Sequence, residues 1–381
     1  MTASSPTGHA RHPLLWRRSD LALLDPGNCV RAPVVIPAQV VRLDGGIDVW
    51  DAWPLALPCG NPAPWRDGEF WFALAAPVND DPEERHHVAR IHGFHRVGGR
   101  FVHLGPVFTE GFTPGSREWS GSAKVDNGQV TLFFTAAGVR GEEQISFDQR
   151  IFASTAALDG DDDALAGWSE PVEIIRPLDR YYMAKHEATG RIGQIKAFRD
   201  PATYQCAAGR EYLLFTASSA ADQGRHNGVI GCAVREVDGT FRKLAPLVDA
   251  CGTCNELERP HIVEHAGLLY LFWSTQAGVF TPGVEAPTGL YGAAADSMAG
   301  PWRLLNGHGL VFANPDAEPF QAYSWWVLPD LTVAAFVDYW GIRDREAREK
   351  PKGRRHFGGT FAPFLRLRLD GDTASLADDP V

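Results

Sequence analysis

Asp126-Asn127-Gly128-Gln129-Val130-Thr131-Leu132-Phe133-Phe134-Thr135 joins a turn signal to an apolar run. Asn-Gly populates the left-handed backbone region that a tight hairpin requires. The run that follows is rich in β-branched and aromatic residues, and so reads as a buried strand. The same unit recurs in Asp67-Gly68-Glu69-Phe70-Trp71-Phe72-Ala73-Leu74, Gly209-Arg210-Glu211-Tyr212-Leu213-Leu214-Phe215-Thr216 and Gly267-Leu268-Leu269-Tyr270-Leu271-Phe272-Trp273-Ser274. A fifth, weaker copy is Pro329-Asp330-Leu331-Thr332-Val333-Ala334-Ala335-Phe336-Val337.

Anchored at positions 68, 128, 209, 267 and 331, these units lie 60, 81, 58 and 64 residues apart. Further strand candidates fall between them, at Gln144–Ala153, Gly228–Glu236 and Gly289–Ala295. Several strands per unit and a unit of this size predict radial blades. The sequence therefore reads as an all-β, five-bladed β-propeller over residues 48–381, with the active site in its central channel. A decorated β-sandwich is the alternative, but two packed sheets give no reason for five spaced copies. Residues 1–47 read as an arm, irregular apart from one or two short helical turns, that packs on the propeller.

A polar stretch precedes each anchor. Asp51, in Asp48-Val49-Trp50-Asp51-Ala52-Trp53-Pro54, stands 17 residues before the first. Ser120, Asp200, Glu258 and Tyr323 stand 8, 9, 9 and 8 residues before the others. The proline-rich loop Pro58–Pro64 lengthens the first spacing. Equal spacing predicts equivalent places at the start of each innermost strand. Asp51, Asp200 and Glu258 then meet at one channel mouth, lined by Trp50, Trp119 and Tyr323. Two carboxyl groups about 5–5.5 Å apart are the working unit of a retaining glycosidase. The acid needs a raised pKa and the nucleophile a low one. Glu258 has Glu256, Arg259 and His261 close by, and Ser120 is placed to donate to Asp51.

These five stretches together resemble glycoside hydrolase family 68, the levansucrases and bacterial β-fructofuranosidases. The matching residues are Val49-Trp50-Asp51-Ala52-Trp53-Pro54, Glu118-Trp119-Ser120-Gly121-Ser122-Ala123, Phe198-Arg199-Asp200-Pro201, Glu256-Leu257-Glu258-Arg259-Pro260 and Tyr323-Ser324. The resemblance spans about Val49 to Leu367 and implies a five-bladed propeller. It implies Asp51 as nucleophile on the fructosyl C2 of sucrose, Glu258 as acid/base and Asp200 as transition-state stabiliser. Trp50, Trp119, Ser120, Arg199, Glu256, Arg259 and Tyr323 would shape the sugar subsites. Gln276 aligns where many polymerising members carry Arg or His, so it can bond a sugar but brings no charge. Calcium-binding members carry Asp where Asn255 stands, which argues against a structural calcium ion, and no other cofactor is expected. The implied activity is fructosyl transfer from sucrose to sucrose, fructan or water. Mainly hydrolytic β-fructofuranosidase activity is one alternative, and a non-catalytic sugar-binding propeller is another.

Composition agrees. A net charge of −11 disfavours a nucleic-acid partner. No apolar run reaches the roughly 18 residues that span a bilayer, so no membrane is expected. Residues 1–20 show no cleavable signal. That fits an extracellular or periplasmic enzyme exported without one, and leaves a cytoplasmic enzyme open. The six cysteines, among them Cys251-Gly252-Thr253-Cys254, read as free thiols or one disulfide, without the second ligand pair zinc needs. His86, His87, His92 and His95 read as surface or cross-strand histidines, and Asp159–Asp163 as a solvated loop. Arg343–Arg355 reads as a mobile surface loop, and Gly358-Gly359-Thr360 as a turn.

Overall fold

The computed structural model describes all residues except 1–11, 26, 44–45, 159–164, 178, 184–194, 223, 345–346, 348 and 378–381. The acidic run at 159–163 lies outside the described residues.

Five antiparallel blades follow one another in chain order. Their innermost strands are Ile47–Ala56, Arg117–Asp126, Phe198–Gln205, Glu258–His265 and Ala322–Val327. The second strands are the apolar runs of the sequence repeat: Gly68–Pro77, Gln129–Ala137, Glu211–Ser218, Leu268–Thr275 and Thr332–Tyr339. Every residue of Glu211–Ser218 and of Thr332–Tyr339 is buried. Second strands sit in mid-blade, covered by neighbouring blades on both faces, so they read as continuous apolar runs without alternation. Each large side chain buried there stabilises the fold by about 1.5–3 kcal/mol. Asn127 and Gly128 have φ 49° and 77°, and Ala266 and Gly267 have φ 49° and 80°. Both pairs make the two-residue turn that matches strand twist.

The expected strand at Gln144–Ala153 is observed at Gln149–Ala157, and Gly358-Gly359-Thr360 lies inside the strand Phe357–Phe361, not in a turn. There Gly359 (φ 58°) lets the backbone approach Asp48, whose Oδ1 would lie 2.5 Å from an added Cβ.

The ring closes between the last blade and the first. Asp48, wholly buried on the first innermost strand, receives two hydrogen bonds from Arg354, at 2.9 and 2.6 Å, and one from Arg42 at 2.5 Å. Phe101 stacks on Phe361 across the same seam with ring centres 3.7 Å apart. The Arg343–Arg355 segment is therefore anchored at its end by Arg354. A buried carboxylate holds it there, a partner that its mixed charge pattern did not reveal.

From Leu14 the chain runs along the outside. Leu14–Leu15 pairs in parallel with Phe241–Asp249 of the third blade. Trp16 inserts among Trp273, Phe280 and Tyr291 and donates from Nε1 to the His308 carbonyl at 3.1 Å. All six cysteines are free thiols. Among the described residues no helix is long and apolar enough to cross a membrane.

Candidate active site

Each innermost strand is broken at one level by a β-bulge. The register shifts between Trp50 and Trp53, Trp119 and Gly121, Arg199 and Ala202, Glu258 and His261, and Tyr323 and Trp326. A bulge bends the strand and re-aims its side chains. Pro201 and Pro260 fall within two of these bulges. Proline suits that position because it has no N–H for the ladder to lose. Asp51, Asp200, Arg259 and Ser324 take φ of 51°, 57°, 53° and 62°. For residues with a Cβ that conformation costs on the order of 1–3 kcal/mol each, and it persists only where the surroundings enforce it.

The bulges project two rings of side chains into one cavity of about 380 Å³, large enough for a small saccharide. Trp50, Trp119, Arg199, Glu258 and Tyr323 pair with residues of the second strands and form one ring. Asp51, Ser120, Asp200, Arg259 and Ser324, one residue further on, form the other, and all ten line the cavity. The sequence had placed Asp51, Ser120, Asp200, Glu258 and Tyr323 at equivalent points. The structure corrects this: Glu258 is equivalent to Trp50 and Arg199, and Asp51 to Arg259 and Ser324. Counting from the turns cannot detect a one-residue difference in the hairpins. Glu256 and Gln276 also line the cavity, so all eleven residues singled out from the sequence face it.

Hydrogen bonding separates the three carboxylates. Ser120 donates to Asp200 Oδ1 at 2.8 Å, not to Asp51. Asp200 Oδ2 has Thr216 Oγ1 at 3.0 Å and the Arg259 backbone N–H at 3.4 Å. Asp51 instead pairs with the Ser324 hydroxyl and the Arg259 charge. Arg259 is itself fixed by Ser324 Oγ at 2.8 Å and the Ala52 carbonyl at 2.8 Å, and it lies 4.9 Å from the Trp326 ring centre. Glu258 receives one hydrogen bond from Arg199 Nη2 at 2.8 Å and a short one from the Tyr323 hydroxyl. The guanidinium of Arg199 also reaches Glu256 Oε2 at 3.5 Å and Asp200 Oδ2 at 3.6 Å.

Burial pushes the Asp51 carboxyl up to about 6; Arg259 and Ser324 oppose the rise, and the charges of Asp200 and Glu258 add to it. A low pKa was expected at this position. Desolvation within the cavity outweighs the one guanidinium and one hydroxyl that favour the anion. Asp200 is also raised, by burial, with Arg199 opposing.

The sequence reading missed three kinds of residue. Thr135 donates to the Ser120 carbonyl at 3.1 Å and accepts from the Asp200 N–H at 3.0 Å. Thr216 and Ser274 hold equivalent positions, opposite Arg199 and Glu258. The signal was present, since each of these hydroxyls ends an apolar run. Ser324, next to Tyr323, was missed as a partner of Asp51. The cavity rim was missed as well: Glu83, Arg85, His86 and His87 come from the turn Pro82–His87, and Lys350 from the last blade. His86 and His87 are therefore rim residues of the cavity and not cross-strand histidines, and His87 is exposed, as the surface reading expects. Burial and Arg85 push His86 down to about 3. His92 does pair across strands, with His103, at 2.8 Å.

The oxygens around Asn255 do not fit calcium. The Asn227 and Asn255 amide oxygens and the Gly224 and Arg225 carbonyls surround the ammonium of Lys196, with no carboxylate among them. Calcium sites draw on carboxylate oxygens, and an ammonium at the centre repels a second cation.

The levansucrase/invertase family model of glycoside hydrolase 68 matches residues 8–231 and 227–379. The chain belongs to this family. It is 27% identical to a levansucrase of Rahnella aquatilis, over 94% of this chain and 93% of that one. It is 28% identical to a levansucrase of Zymomonas mobilis, over 94% and 89%. An inulosucrase of Halalkalicoccus jeotgali bound to kestose superimposes with a TM-score of 0.84, 32% identity and coverage of 96% and 95%. The catalytic domain of a Microbacterium saccharophilum β-fructofuranosidase superimposes with a TM-score of 0.77, 26% identity and coverage of 99% and 92%. The chain is thus a levansucrase-type fructosyltransferase of family 68, and its fold is the five-bladed propeller of that family.

Proposed function

We propose that this family 68 enzyme cleaves sucrose by double displacement. The observation that carries the reading is the convergence of Asp51, Asp200 and Glu258 on one cavity through bulges of three adjacent-level strands. Asp51 attacks the fructosyl C2 while Glu258 gives its proton to the departing glucose oxygen. The C2–O bond to glucose breaks and a C2–O bond to Asp51 forms. Glu258, now anionic, takes a proton from the acceptor hydroxyl, which attacks C2 and releases Asp51. Asp200, held by Ser120 and Thr216, faces the charge that develops on the ring. The Tyr323 hydroxyl can donate or accept, so it keeps contact with Glu258 in both protonation states. Trp50 and Trp119 supply apolar walls, and Arg199, Arg259 and Glu256 supply hydroxyl partners.

Sucrose, fructan and short oligosaccharides serve as donor and acceptors. Gln276 on the cavity wall favours a second reading, in which water is the main acceptor, because it offers a neutral amide where an arginine would hold an acceptor sugar more firmly. Chromatography of products from the purified protein and sucrose tests both. Transfer predicts free glucose in excess of free fructose, with oligosaccharides or polymer making up the difference. Equal glucose and fructose select hydrolysis, and intact sucrose refutes both.

A further inference from the structure

Lys196 enters the third innermost strand three residues before Arg199. Its Nζ lies 3.0 Å from the Gly224 carbonyl, 2.8 Å from the Arg225 carbonyl, 2.6 Å from Asn227 Oδ1 and 3.1 Å from Asn255 Oδ1. An ammonium has three protons. Four oxygens at this range, all neutral, are arranged as ligands around a cation more than as partners of a surface lysine.

The cage leads to the catalytic centre. Asn255 turns its oxygen to Lys196, so its amide NH₂ faces the other way. That NH₂ donates to Glu256 Oε1 at 3.2 Å and to the Ile195 carbonyl at 3.3 Å. Glu256 Oε2 meets Arg199 Nη2 at 3.5 Å, and the same nitrogen donates to Glu258 Oε1 at 2.8 Å. Asn255 is wholly buried, so water does not replace its partners.

We infer that the Lys196 ammonium is a built-in cation that fixes the orientation of Asn255 and, through Glu256 and Arg199, sets the position of Glu258. Lys196 is a positioning residue and touches neither sugar nor reacting atom. Without its charge the Asn255 oxygen loses its only cationic partner among the described residues, and only the Glu256 and Ile195 acceptors still hold the amide in place. A flipped amide would present oxygen to Glu256 Oε1, and two acceptors repel. The inference rests on the sucrose-cleaving reading and identifies what holds its acid/base in place.

The test compares full-length wild type, Lys196→Met, Glu256→Gln and the double variant in sucrose cleavage, after circular dichroism has shown each to be folded. Lys196→Met is expected to lower kcat/KM about tenfold, the scale on which lost outer partners act. In the Glu256→Gln background it should add less than about twofold, because both changes break one chain. Lys196→Ala should regain activity, and rise in melting temperature, with ammonium chloride but not with tetramethylammonium chloride at equal ionic strength. Three results overturn the inference: a folded Lys196→Met within about twofold of wild type, losses that multiply in the double variant, or ammonium acting no better than tetramethylammonium. If Lys196→Met does not fold, Lys196→Gln keeps donors without charge, and wild-type turnover by it likewise refutes the role. Inactive wild type would refute the sucrose reading instead, leaving the ammonium-dependent melting shift as the test of the cage.

Discussion

In the proposed mechanism Asp51 must be ionised to attack, and the structure holds its carboxyl up at about 6. The acid limb of kcat/KM for sucrose, which reports the free enzyme, should therefore turn near pH 6. With that value about nine-tenths of Asp51 is ionised at pH 7 and about one-tenth at pH 5, so kcat/KM should fall about tenfold between them. Ser324→Ala sharpens the test. The hydroxyl bonds Asp51 and also accepts from Arg259 Nη1 at 2.8 Å. A hydrogen bond to a charged group contributes about 1.5–3 kcal/mol, or roughly 1–2 pKa units. Its loss should move the limb upward by that amount and leave turnover at pH 9 less affected than at pH 6. The assay is initial-rate glucose release at low sucrose from pH 4 to pH 9. A wild-type limb below about pH 4.5, the ordinary carboxylate range, or a limb unmoved in Ser324→Ala, would refute the reasoning.

Asp51→Asn should abolish cleavage yet raise thermal stability at pH 8. The folded carboxyl titrates near 6 against an ordinary 3.8, so stability present below the lower value is lost as pH rises through the upper one, by up to about 3 kcal/mol. Differential scanning calorimetry should show the gap between variant and wild type closing at pH 4. Asp48→Asn should destabilise by about 1–3 kcal/mol, seen as a lower denaturation midpoint, because it leaves the part-exposed Arg42 and Arg354 at the blade seam without their shared anion. Gln276→Arg should raise the ratio of oligosaccharide to free fructose, measured by product chromatography, while changing glucose release less. Thr216→Val, which removes a hydroxyl 3.0 Å from Asp200 Oδ2, should lower kcat more than it raises KM, with a cost of about 1.5–3 kcal/mol in kcat/KM.

The blades were legible because both-face burial writes itself into a sequence as an uninterrupted apolar run, and the turn before four of the five runs carries Gly. The proposed site was legible because Asp51, Asp200 and Glu258 each stand at, or one residue from, the same bulge level before a run. What stayed hidden depends on backbone geometry without a composition of its own. A bulge adds one residue to a strand, and nothing in Glu258-Arg259-Pro260 states that Glu258 and Asp51 belong to different rings. Ser120 was assigned to Asp51 by adjacency in the ring, whereas the bulge turns it to Asp200. Arg85 and Lys350 reach the cavity, and Arg354 the seam, from outside the five polar stretches, and the Arg354 partner Asp48 lies 306 positions away. Lys196 was likewise silent, because its four oxygens come from two separate loops.

The central claim is that Asp51 is the group that carries the fructosyl unit. The most direct measurement uses Glu258→Gln with fructosyl fluoride, a donor whose leaving group needs no protonation, followed by acid quench, proteolysis and mass spectrometry. The first displacement should proceed and the second stall for want of a base, so a peptide bearing Asp51 should gain the mass of one fructosyl unit. A fructosyl adduct on Asp200 or Glu256, or donor consumed with no adduct on any peptide, would contradict the account.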